Sequence, residues 1–129
     1  MAFPYPYCIW EDNMKREFIL QFLLDEGLTN VSQIRTDDKN ILNIKFRYEF
    51  NDYEIQASES YVGDMLGELR DISKKELKVE FLKEIAMDEV DQILDEVKDE
   101  AGTQSLIYRI EKECIIDRRY IEFIAEVEL

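Results

Sequence analysis

Residues 42–50 read LNIKFRYEF, with Leu42, Ile44, Phe46, Tyr48 and Phe50 alternating with Asn43, Lys45, Arg47 and Glu49. Successive side chains of an extended chain point to opposite faces, so this stretch is a strand with one apolar side and one charged side. A helix would scatter the same five apolar residues around its whole circumference. A strand of this kind belongs to an antiparallel sheet that packs on one face and leaves the other to water. Asn51 and Asp52 tolerate turn geometry, and Tyr53, Ile55 and Ala57 resume the alternation, so the strand is expected to continue into a hairpin.

A second strand pair is expected at the other end of the chain. Ile121, Phe123, Ala125, Val127 and Leu129 alternate with Glu122, Glu126 and Glu128 after a turn at Asp117, Arg118 and Arg119. Upstream, Leu106, Tyr108 and Ile110 also alternate. Leu106, Ile107, Ile110 and Cys114 would suit a helix as well, and strand is the reading taken for Leu106 to Ile116.

Between and before these strands the spacing is helical. Asp12 or Asn13 can cap a helix that buries Phe18, Ile19, Phe22 and Leu23 and stops at Glu26 before Gly27. A polar connection containing Thr36, Asp37, Asp38 and Lys39 follows it. A shorter helix is expected near Glu59 to Ile72, burying Tyr61, Met65, Leu66, Leu69 and Ile72, with Gly63 and Gly67 allowing close packing or local flexibility. Ser73 and Glu76 have the spacing of a capping box, which starts a long helix from Lys74 to Ala101 with Gly102 at its end. The fold class is α+β, in the order α-β-β-α-α-β-β: an antiparallel sheet of about four strands with three helices on one face.

The 129 residues suit a single acidic domain, residues 1–129, and 46% hydrophobic residues supply its core. Four glycines and two prolines leave no linker or low-complexity tract. Residues 1–10, MAFPYPYCIW, carry no basic n-region and no apolar run of signal-peptide length, and nowhere do eighteen apolar residues run together, so a cytoplasmic protein is expected. Cys8 and Cys114, in no CxxC spacing, are expected as reduced thiols. The aromatic N-terminal arm (1–10), with Phe3, Pro4, Tyr5, Pro6, Tyr7 and Trp10, can pack back on the protein or dock on a partner as an extended ligand.

Function is bounded mostly by exclusion. The chain has no histidine, which removes Ser-His-Asp and Cys-His catalysis and the usual zinc sites. A net charge of -14 disfavours direct contact with nucleic acid or an anionic membrane and favours basic partners. Half of that charge lies between Glu84 and Glu100, where eight carboxylates face the single base Lys98. On a helix, Glu84, Asp88, Asp91, Asp95 and Asp99 form one stripe opposite Val90, Ile93, Leu94 and Val97, with Glu89, Glu96 and Glu100 on its flank. A charge run of this kind is often only a solvated face. Helix faces of that sort are normally laced by i,i+4 pairs of opposite sign, and this one is not.

The expected partner-binding residues are therefore Glu84, Asp88, Asp91, Asp95, Glu96 and Asp99. Five carboxylates over about 22 Å give one charge per about 5.6 Å, against one per about 1.7 Å in duplex DNA, so the helix alone is a sparse mimic of nucleic acid. Carboxylates strung along a line do not converge as calcium requires, and no DxDxDG loop occurs, so no metal and no cofactor is expected. The resulting expectation is a protein-binding module without catalysis that blocks a basic surface, such as the nucleic-acid site of an enzyme. Toxin-immunity proteins and phage inhibitors use this chemistry, an analogy of chemistry rather than of sequence. The alternative is an assembly or adaptor subunit that binds through the open sheet face and the aromatic arm, and self-association is left open. On that open face Lys45 and Arg47 are expected to pair with Glu49 and Glu54.

Overall fold

The computed structural model describes residues 12–65 and 73–129. The aromatic arm, Cys8, Leu66, Gly67, Leu69 and Ile72 lie outside them, as do the side chains of Asp12 and Asn13. The described elements are α1 (Asp12–Asp25), β1 (Thr29–Ile34), β2 (Ile41–Glu49), α2 (Asp52–Met65), α3 (Lys74–Ala101), β3 (Ser105–Cys114), the single turn α4 (Ile115–Arg118) and β4 (Tyr120–Glu128). The four strands form one antiparallel sheet in the order β1-β2-β4-β3. The fold is α+β, and the element order follows the one expected.

Two of the segments filling that order differ. The residues after β2 do not return as a strand: Tyr53, Ile55 and Ala57 lie in α2, and Tyr53 is 85% exposed. Asn51 decides this. Its side-chain oxygen accepts from the Glu54 N–H at 2.8 Å, while the Glu54 carboxylate accepts from the Asn51 N–H at 3.0 Å, a reciprocal cap of two otherwise unpaired donors. The buried positions Ile55, Ser58 and Val62 then follow helical spacing. A Cβ at Gly63 would meet nothing within 4 Å, so close packing is not what that glycine supplies.

The first strand lies instead upstream, at Thr29–Ile34, the start of the stretch between Gly27 and Leu42. Its alternation is broken by a bulge between Thr29 and Ser32 and by Asn30 at φ 48°, so only Val31 and Ile34 mark it as apolar.

The long helix has the ends its sequence implies. Ser73 accepts from the Glu76 N–H at 3.1 Å, and Gly102 closes α3 in the left-handed region at φ 65°, its N–H reaching the Lys98 carbonyl at 3.0 Å. Leu82, Ala86, Val90, Leu94 and Val97 of α3 bury against Ile19 and Leu23 of α1, Ile55 of α2 and the inner sheet face. That face is built from Leu42, Ile44 and Phe46 of β2 with Ile121, Phe123, Ala125 and Val127 of β4, and Phe46 stacks on Phe123 at 5.6 Å between centroids. The helices therefore cover one face of the sheet.

Candidate functional site

α3 buries one side completely, which leaves its acidic residues facing outward. Glu84, Asp88, Asp91, Asp95 and Asp99 are all exposed along one stripe, as the 100° step requires. The stripe runs beside β3. Lys83 at its start pairs with Glu113 at 2.7 Å, and eight residues further along, Asp91 accepts from the Tyr108 hydroxyl at 3.2 Å, so α3 and β3 run in opposite directions. Burial, then the Asp91 charge and hydrogen bond, then Asp88 and Asp95 push the Tyr108 hydroxyl above the ordinary tyrosine range. Three carboxylates of the stripe thus concentrate negative potential on the β3 side of the helix.

Glu96 does not belong to this group. It lies about 100° round the helix from Asp95, on the flank that meets the end of α1. There it stands close to Glu26, and the hydrogen bond that a protonated Glu96 carboxyl makes to Glu26, with smaller contributions from desolvation and the Glu26 charge, raises its pKa. On the same side, burial first and then the hydrogen bond to Glu54 raise the Tyr48 hydroxyl, with Glu89 adding its charge. The acidic surface therefore has two separate flanks, and five of the six expected binding residues occupy one of them.

Among the described residues no ion pair reaches Glu84, Asp88, Asp91, Asp95 or Asp99. Both ends of α3 carry mixed charge: Lys74 and Lys75 stand with Glu76 in the first turn, and Asp99 and Glu100 with Lys98 in the last, so the helix dipole gains little from either end. Lys74 and Lys75 rim a groove of about 500 Å³ floored by Val62, Gly63 and Ile116, and Lys78 there pairs with Glu59 at 3.6 Å.

The open sheet face is organised differently from expectation. Lys45 and Arg47 pair with Glu122 of β4, at 3.7 Å and 3.2 Å, rather than with Glu49 and Glu54. Glu49 instead accepts from Thr29, and Glu54 belongs to the α2 cap. Arg47 also lies 4.1 Å over the Tyr120 ring. Glu122 is consequently part-buried, its side chain 12% exposed, where its place on the solvent face alone implied a surface residue. Further along this face Ile34, Ile107 and Ile124 line a shallow depression of about 380 Å³, and Ile107 is 64% exposed. Arg119 serves the turn as expected, in the left-handed region at φ 60°, and pairs with Asp52 at 2.9 Å. Cys114 is a half-buried free thiol. Among the described residues no cluster of three or more histidine, cysteine or acidic side chains is arranged to hold a metal, and no helix is long and apolar enough to cross a membrane.

Sequence reasoning found the stripe but not its setting. Tyr108 reads only as an inward residue of a strand, and nothing in its local sequence places it under Asp91. Comparison of the chain with protein-family models, with curated proteins and with solved structures found no match.

Proposed function

We propose that this protein is an acidic binding module without catalytic activity, whose α3 stripe docks on a basic surface of another protein and blocks it. The observation that carries the reading is the stripe itself: five exposed carboxylates within one helix face, none of them in an ion pair among the described residues. Adjacent members are separated by about 4.5–6 Å along the axis, inside the Debye length of about 8 Å at physiological salt, so they repel one another. A layout that costs stability through repulsion is accounted for if a cationic partner relieves it. Nucleic-acid-handling enzymes present such surfaces, and a cytoplasmic inhibitor of one fits the charge.

Affinity capture at low and at high salt tests the reading. The captured partner should be basic, should be released at high salt, and should be lost when Asp91 and Asp95 are both changed to lysine. Binding with unchanged affinity and salt dependence after that double change would reject it. In that case the adaptor reading gains, because exposed Ile107 beside Ile34 and Ile124 offers an apolar contact on the open sheet face that salt would not release.

A further inference from the structure

The sheet has two edges, and they are built differently. β1 is six residues long, bulged, and bent by Asn30, which are common ways of blocking further strand pairing. β3 is ten residues long, its own bulge falls between Ile110 and Lys112 and leaves Ser105 to Ile110 in regular register, and among the described residues nothing pairs with its outer side. The Leu129 N–H bonds the Asn40 carbonyl at 2.8 Å, which sets the phase of the ladder. Odd-numbered residues of β4 direct their peptide groups to β2 and even-numbered ones to β3. The β3 residues opposite Glu128, Glu126 and Ile124 are Ser105, Ile107 and Arg109, so these bond to β4. Leu106, Tyr108 and Ile110 consequently turn their N–H and C=O groups to the free edge.

We propose that the β3 edge receives an extended segment of a basic partner as a fifth strand, with alternate Lys or Arg side chains of that segment meeting the α3 stripe. The inference rests on the binding role proposed for the stripe and adds the form in which the partner is held. The edge groups, unpaired among the described residues, supply the docking template, and the stripe supplies charge complementarity. Residues that pair with Leu106, Tyr108 and Ile110 project their side chains to the same face as those three, which is the helix side where Asp91 reaches Tyr108. Alternate strand residues repeat every 6.6 Å or so, and the stripe advances by about 4.5–6 Å per carboxylate, so two or three basic side chains in succession find a counter-charge. The intervening side chains fall on the open face beside exposed Ile107. A segment of Lys or Arg alternating with β-branched residues has the matching chemistry.

The probe is a capped peptide of alternating lysine and valine, about seven residues long to span the stripe. Its control is the same peptide N-methylated at the lysine peptide groups, which keeps every charge and removes the donors aimed at β3. The unmodified peptide should bind at low salt, and N-methylation should weaken it by about tenfold or more, the worth of one to two net hydrogen bonds. Hydrogen exchange should slow at the amides of Leu106, Tyr108 and Ile110 on binding, while Ile107 and Arg109, already bonded to β4, change little. The Asp91→Lys, Asp95→Lys protein should lose the peptide. Equal binding of both peptides, still abolished by the double change, would overturn strand addition and leave the stripe as a binder of basic surfaces. Binding that ignores the double change would overturn both. Absence of binding also overturns strand addition, and self-association of the double variant in that case would show that the acids merely keep the β3 edges of two copies apart.

Discussion

The open sheet face and the α3 stripe both carry dense charge, yet one is internally balanced and the other is not. On the sheet, Glu122 sits between Lys45 and Arg47, and Arg109 pairs with Glu111 at 2.5 Å. Arg47 and Glu122 are 75 residues apart in sequence and directly opposite in the ladder. On the helix, Lys98 is the one base among eight acids from Glu84 to Glu100, and among the described residues Asp91 of the stripe meets a tyrosine hydroxyl rather than a base. Charge that is paired across strands serves the fold, because each side chain screens its neighbour. Charge that is unpaired among the described residues, on a helix anchored by Val90, Leu94 and Val97, adds nothing to that packing.

Substitutions can break or sharpen this contrast. Phe123 is the apolar floor beneath both regions, fully buried and stacked on Phe46, so Phe123→Ala should cost about 3–5 kcal/mol in denaturant unfolding. A loss under about 1 kcal/mol would mean that the sheet register is not the one described. Glu122→Gln should cost about 1–2 kcal/mol, because it leaves two part-exposed cations without their acid. The matching change on the helix, Asp91→Lys with Asp95→Lys, should act in the opposite direction and stabilise by about 0.5 kcal/mol, since the repulsion removed exceeds the exposed Tyr108–Asp91 hydrogen bond that is lost. If both regions responded with the same sign, the distinction between paired and unpaired charge would fail.

Salt and pH give smaller readouts of the same difference. Added monovalent salt should raise the thermal midpoint of the unaltered protein by screening the stripe, and the double lysine change should flatten that rise. Glu96 has a folded-state pKa raised above its unfolded value by the hydrogen bond to Glu26. Between those two values the folded protein holds more protons than the unfolded one, so stability falls as pH rises through the window. Lowering the pH through that window should therefore stabilise the protein slightly, and Glu96→Gln should remove part of that slope. A slope unchanged by Glu96→Gln would mean that the Glu26–Glu96 bond does not persist in solution.

The parts of the fold that were legible are those where local and tertiary demands agree. β2 and β4 lie at the centre of the sheet with one face in the core, so their sequences alternate cleanly. α3 carries its own cap, its stop and an apolar stripe. The misread segments are those where a weak pattern competes with a local bond. Tyr53, Ile55 and Ala57 alternate by coincidence, and the decisive signal was the N-x-x-E spacing of Asn51 and Glu54, which resembles a turn until the cap is formed. β1 is an edge strand with a bulge, and its apolar residues are too few to announce it.

The stripe itself is a property of the chain, because helical angle and side-chain type are enough to align Glu84, Asp88, Asp91, Asp95 and Asp99 and to hold them opposite an apolar side. Long-range pairing decided the rest. It placed Glu122 between Lys45 and Arg47, set Glu26 of α1 beside the Glu96 flank, and laid the stripe along an edge strand whose outer peptide groups are unpaired among the described residues. Local sequence sets which way a side chain points along its own element, whereas what it meets there depends on contacts between segments far apart in the chain, and no local spacing encodes those.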